Sequence, residues 1–243
     1  MVGKKLDKKQ LKKSGARQND TKLSNETPFQ VAEAYKILRT NLLFALAAGK
    51  NKVMVVSSAL PSEGKSATCA NLAITVAQTG ARVIIVDADL RKPTQYQIFK
   101  CNNSKGLTTI LAGFNNLDEV IKKEVEPNLD IITSGPTPPN PSELLGTERM
   151  SHLIEKLVEH YEYVFIDTPP INVVTDAMVL ANKTAGVVLV ARHGQSTYDN
   201  FTKAISSIEF SGANILGVVI NAVSEKSGRY GKYGKYKYSY SRK

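Results

Sequence analysis

The sequence has no tryptophan, only two cysteines, and no run of apolar residues approaching the ~18 that a membrane-spanning helix needs. Cys69 and Cys101 are too few to make a disulfide framework in a chain of 243 residues, and a reducing, cytosolic setting suits them better than an oxidising one. The N-terminus is rich in lysine but has no apolar stretch behind it, so it does not read as a secretory signal. A soluble protein is expected, one that reaches a membrane only through another protein or through its charged ends.

Positive charge is also missing from the middle of the chain. Residues 1–22 hold eight Lys/Arg and two acids, and residues 225–243 hold seven and one, so each end carries +6. The total is +10, which leaves 10 − 6 − 6 = −2 for residues 23–224. A nucleic-acid-binding domain would more usually carry its charge on a face of the fold. No nucleic-acid partner is expected.

What is present is an alternation of short β-branched runs with helical patterns. Residues 1–27 are polar and lysine-rich and read as a flexible basic arm. From Phe29, the positions Val31, Ala34, Tyr35, Leu38, Leu42 and Ala45 recur at helical spacing. Strands are expected at 52–57, 82–87, 129–133, 163–167, 186–191 and 215–221, and helices at 66–79, 150–160, 176–181 and 198–210. The pattern implies an α/β fold with a mostly parallel central sheet and helices on both faces. Residues 135–141 (G-P-T-P-P-N-P) read as a proline-rich loop. The expected division is an arm at 1–27, a domain at 28–223 and a tail at 224–243.

Residues 59–66, A-L-P-S-E-G-K-S, follow an apolar strand and open a helix, which is the context a phosphate-binding loop requires. Loop N–H groups and the helix N-terminus surround phosphate oxygens. Gly64 allows close approach of the backbone, Lys65 reaches the β- and γ-phosphates, and Ser66 offers a hydroxyl to Mg²⁺. The first position is Ala59 where Gly is usual. The expected nucleotide-binding set is Ala59, Leu60, Pro61, Ser62, Glu63, Gly64, Lys65, Ser66 and Ala67, with Arg91 and Asn221 as further candidates. A turn role for Asn221 weighs equally.

Two buried strands end in carboxylates: V-I-I-V before Asp87-Ala88-Asp89, and Y-V-F-I before Asp167. Ligands of open α/β sheets bind beyond the carboxyl ends of the strands, so these acids should converge on the loop. Asp167 is the natural acid for Mg²⁺. Asp87 and Asp89, two apart on an extended segment, would share a face, and either could hold metal or accept a proton. The expected catalytic group is Lys65, Asp87, Asp89 and Asp167, and the expected metal ligands are Ser66, Asp87 and Asp167.

Half of the ten tyrosines, Tyr230, Tyr233, Tyr236, Tyr238 and Tyr240, fall in the last 14 residues among Gly, Lys and Ser. A sticky basic–aromatic tail is the bland explanation. Beside a phosphate-binding loop, a set of phosphoacceptors is the better one. At roughly −1.5 to −2 charges each, five phosphotyrosines would take this end from +6 to about −2 to −4.

Together A-L-P-S-E-G-K-S, V-D-A-D-L-R-K-P, I-D-T-P-P and the tyrosine-rich end resemble the bacterial tyrosine kinases of capsular and exopolysaccharide synthesis. Glu33-Ala34-Tyr35-Lys36-Ile37-Leu38-Arg39 resembles that family's oligomerisation helix, with Lys36 where the family has Arg, and Gly106-Leu107 and P-P-N-P-S-E-L-L (138–145) match further signatures. The resemblance spans about residues 28–243. It implies a P-loop NTPase-like α/β fold, ATP-dependent, Mg²⁺-assisted autophosphorylation on tyrosine in trans, and a homo-oligomeric ring with Glu33, Lys36 and Arg39 at the interface. It also implies a separate transmembrane activator, a cytoplasmic protein peripheral to the inner face of the membrane, and control of polysaccharide synthesis and export. From spacing alone, Glu33, Lys36 and Arg39 fit a solvated helix face with ion pairs better than an interface. The competing expectation is a partitioning or positioning ATPase, but such proteins carry a signature Lys at the second loop position, which is Leu60 here.

Overall fold

The computed structural model describes residues 22–24, 26–47, 49 and 51–223. The basic arm before Lys22 and the tyrosine-rich tail, with all five candidate phosphoacceptors, lie outside the described residues. The chain runs α1 (Phe29–Ala47), β1 (Val53–Ser58), α2 (Lys65–Ala77), β2 (Val83–Asp87), α3 (Gln95–Ile98), α4 (Leu107–Leu111) and α5 (Leu117–Val120). It continues through β3 (Lys122–Glu126), β4 (Leu129–Ile132), α6 (Pro141–Gly146), α7 (Glu148–His160), β5 (Tyr163–Asp167), α8 (Asp176–Ala181), β6 (Gly186–Arg192), α9 (Tyr198–Phe210) and β7 (Ile215–Asn221).

The seven strands form one sheet in the order β3-β4-β2-β5-β1-β6-β7, parallel except for β3. β1, β2 and β5 are buried along their whole length, as continuous Val/Ile runs covered on both faces must be. One face packs on α1, α2 and α3 through Leu42, Leu46, Leu72 and Phe99. The other packs on α4 and α6 to α9 through Leu107, Leu145, Leu157, Leu180 and Ile208. The parallel αβ alternation expected from the sequence is therefore present.

The short helices α3, α4 and α5 are not among those expected, and two further features differ from expectation. β3, K-K-E-V-E, is an edge strand pairing antiparallel with β4, and its charges suit an edge that must not pair further. Its lack of apolar alternation is why it does not read as a strand. Pro141 is the first residue of α6 and not the end of a loop, because the first helical position needs no N–H donor. At the start of the described chain, Lys22 pairs with Glu126 and lies over the Phe99 ring, and the Leu23 N–H donates to Asn71 Oδ1 at 2.8 Å.

Candidate nucleotide site

The sheet order sets the site. β2 and β5 are neighbours in register, with Asp87 directly opposite Asp167, and β5 in turn neighbours β1, from which the phosphate-binding loop springs. The three carboxyl ends thus open onto one place. Gly64 has φ +91°, in the left-handed region, and caps α2. A Cβ there would lie 2.0 Å from Asn221 Nδ2, which reaches across from the end of β7 and donates to the Glu63 carbonyl at 3.1 Å.

The loop is braced from inside and outside. Glu63 is fully buried; its Oε2 accepts from the Leu60 N–H at 2.9 Å and its Oε1 accepts from the Ser196 hydroxyl. Gln195 Nε2 donates to the Pro61 carbonyl at 3.3 Å, and Arg192 Nη1 to the Ser62 carbonyl at 3.5 Å. The segment after β6 thus holds the loop's outer side. Nothing in the sequence pattern of 192–196 announces this, since the contacts join residues 130 to 134 positions apart.

Lys65 lies folded back onto the acids. Its Nζ is 2.7 Å from Asp89 Oδ2, 3.5 Å from Asp167 Oδ1 and 3.0 Å from Ser66 Oγ. Burial works against the ammonium, but the charges of Asp167 and Asp89 outweigh it and hold the Lys65 pKa above its ordinary value. Asp87 and Asp167 have no exposure. Burial first, and the Asp167 charge next, push the Asp87 carboxyl well above the usual carboxylate range. Asp167 is raised by burial as well, against the pull of Lys65, the Ser66 hydroxyl and the Gln95 amide.

All four expected catalytic residues therefore meet. Asp87 and Asp89 do not share one face, however. Asp87 accepts from the Asp89 and Gln95 N–H groups at 3.3 and 3.1 Å, whereas Asp89 turns to Lys65 and accepts from the Lys92 N–H at 3.0 Å. The segment leaves the strand after Asp87 and folds on its own carboxylates. Arg91 is drawn away from the loop: its Nε and Nη2 donate to the fully buried Asp176 at 2.9 and 3.1 Å, and Nη2 also donates to Ser142 Oγ at 3.1 Å. Two residues that sequence reasoning passed over complete the cluster: Gln95, which contacts Asp167, and Asp176.

On α1, Glu33 and Lys36 form an ion pair at 2.6 Å, and Arg39 donates to the Thr75 carbonyl near the C-terminus of α2 at 2.9 Å. Phe29, Ile37 and Phe44 on the same helix are exposed.

A phosphate-binding loop on a mostly parallel sheet, with carboxylates at two neighbouring strand ends, defines a P-loop nucleotide-binding protein. A family model described as an AAA domain matches residues 51–211. The septum site-determining protein MinD of Pyrococcus horikoshii, solved with Mg-ADP, shares this fold at a TM-score of 0.58 and 22% identity, covering 69% of this chain and 68% of that one. Nearer relatives narrow the class. The tyrosine-protein kinase YwqD of Bacillus subtilis is 40% identical over 78% of this chain and 80% of its own. The kinase domain of the Escherichia coli tyrosine kinase Etk superposes with a TM-score of 0.78 at 37% identity, covering 81% of this chain and 77% of that one. The chimerical protein CapA2B2 gives 0.75 at 40% identity, covering 80% and 85%. The chain belongs to the bacterial tyrosine-protein kinases. Among the described residues, no helix is long and apolar enough to cross a membrane.

Proposed function

We propose that this chain transfers the γ-phosphoryl group of magnesium-complexed ATP to the tyrosines of its own C-terminal segment, Tyr230, Tyr233, Tyr236, Tyr238 and Tyr240, presented by a second subunit. The observation that carries the proposal is the convergence of Lys65, Asp87, Asp89 and Asp167 at three neighbouring strand ends beside the loop, in a tyrosine-kinase relative that ends in five tyrosines.

The residues fit Mg²⁺. The Ser66 hydroxyl and Asp167 carboxylate are hard oxygen donors already hydrogen-bonded to each other, and the Lys65 ammonium sits among them as a cation. No cage of three or more His, Cys, Asp or Glu is formed among the described residues. That suits a metal that keeps waters and takes phosphate oxygens, with only one or two carboxylates from the protein. When bound, Mg²⁺ would neutralise charge on the β- and γ-phosphates.

The geometry supports the following part for the protein itself. Loop N–H groups and the N-terminus of α2 hold the phosphates. Lys65 exchanges Asp89 for the β- and γ-oxygens and stabilises charge on the group in transfer. The incoming phenol, protonated at neutral pH, gives its proton to the Asp87–Asp89 pair as its oxygen bonds to the γ-phosphorus. The bond from that phosphorus to the bridging oxygen breaks, and ADP leaves.

The resemblance supplies the setting we propose. Copies form a ring through the α1 face that carries Glu33, Lys36 and the exposed Phe29, Ile37 and Phe44. Arg39, tied to Thr75, fixes that helix to the domain. A separate transmembrane partner activates the kinase at the inner face of the membrane, and phosphorylation regulates polysaccharide synthesis and export. Phosphate incorporation from ATP tests the chemistry: self-phosphorylation on tyrosine by a Lys65→Met chain would exclude it.

A further inference from the structure

The magnesium–nucleotide site contains a residue with no part yet assigned. Gln95 has no exposure and opens α3, just past the loop that follows β2. Its side-chain Nε2 donates to Asp167 Oδ2 at 2.8 Å and to the Ser66 carbonyl at 3.0 Å. Its backbone N–H donates to Asp87 Oδ2 at 3.1 Å. One residue therefore ties together the ends of β2 and β5 and the first turn of α2. These are the segments that carry Asp87, Asp167 and Ser66.

Both partners of Nε2 are oxygens that only accept, so the amide has one orientation, with its nitrogen toward them. The consequence is visible on the other side. Gln95 Oε1 is buried and has no hydrogen-bond partner among the described residues. An unpartnered buried acceptor disfavours folding, and a Leu or Met of similar volume would fill the space without it. Packing alone therefore does not account for an amide here. What the amide supplies is a fixed carboxylate. With Oδ2 of Asp167 held by Gln95, Oδ1 is the oxygen that faces Lys65.

We infer that Gln95 is a positioning residue: it orients the Asp167 carboxylate and the backbone of Ser66 so that a magnesium-complexed nucleotide finds its protein oxygens in place. The inference rests on the magnesium–ATP reading above. Partners that orient a ligating carboxylate set metal affinity, and losing one commonly weakens it by about 10–100-fold.

The test is ADP binding to the full chain by titration calorimetry, in Mg²⁺ and in EDTA, for wild type, Gln95→Met and Gln95→Leu. Neither replacement donates to Asp167, and both keep the backbone N–H to Asp87. In both variants the factor by which Mg²⁺ tightens ADP binding should fall toward one, a loss of about tenfold or more, while affinity in EDTA stays at the wild-type value. An unchanged Mg²⁺ factor overturns the inference. So does an equal loss with and without Mg²⁺, which would mean that Gln95 only packs the domain. If Gln95→Met does not fold by circular dichroism, Gln95→Leu, smaller and also without a donor, carries the test. A wild-type chain whose ADP affinity ignores Mg²⁺ overturns the magnesium reading itself, and this inference with it.

Discussion

Replacing Gly64 by Ala tests how the loop is held. Gly64 has φ +91°, and a Cβ there would lie 2.0 Å from Asn221 Nδ2 and 3.3 Å from Asn221 Cγ. Two costs arise. A left-handed conformation costs an L-residue about 1–2 kcal/mol. The Asn221 side chain must also move, losing its hydrogen bond to the Glu63 carbonyl, worth about 1 kcal/mol. The sum, about 2–3 kcal/mol, corresponds to roughly 4–12 °C in Tm for a domain of this size. The two costs separate in a double-mutant cycle read by urea unfolding. In an Asn221→Ala background nothing is left to displace, so Gly64→Ala should cost only the conformational part. The coupling should be about 1 kcal/mol. Additivity within about 0.3 kcal/mol would refute the claim that Asn221 sits against the loop and sets the space at Gly64.

The buried acids predict an unusual pH dependence. Asp87 binds its proton more tightly folded than unfolded, so its contribution to stability is present below the unfolded pKa, about 3.9, and is lost as pH rises through the higher folded value. Nucleotide-free Asp87→Asn should therefore be more stable than wild type at about pH 7 and lose that advantage near pH 4. Chemical denaturation across that range checks it; Asp167 leaves a residual slope of the same sign. Arg91→Ala should lower stability by about 1.5–3 kcal/mol, because it removes two charged donors to fully buried Asp176 and leaves it only the Ser142 hydroxyl among side-chain donors of the described residues. Arg91→Lys should recover less than half of that, since an ammonium cannot reproduce the two-pronged contact; thermal unfolding of the two variants decides.

The parts of the fold that were legible in the sequence are those whose pattern is local. Uninterrupted runs such as Val83-Ile84-Ile85-Val86 mark strands buried on both faces, and Gly64-Lys65-Ser66 after an apolar strand marks the loop. The convergence of Asp87 and Asp167 followed from a general property of open parallel sheets. What was not legible depends on partners far along the chain. β3 is a strand because β4 pairs with it, despite a sequence of charges. Arg91 looked poised for phosphate, yet Asp176, 85 positions on, binds it. Gln95, an ordinary polar residue, matters through contacts to residues 29 and 72 positions away. Glu63 sits inside the recognised motif, but its role as a brace appears only with Ser196.

The central claim is that the triphosphate held by residues 59–66 is used to phosphorylate tyrosine at the chain's own C-terminal end. Tandem mass spectrometry of residues 224–243 after incubation with Mg·ATP, on wild type and Lys65→Met side by side, tests it most directly. The account predicts phosphate on one or more of Tyr230, Tyr233, Tyr236, Tyr238 and Tyr240 in the wild type and none in the variant. Equal tyrosine phosphorylation in Lys65→Met, or conversion of ATP to ADP by the wild type with every tail tyrosine unmodified, would contradict it.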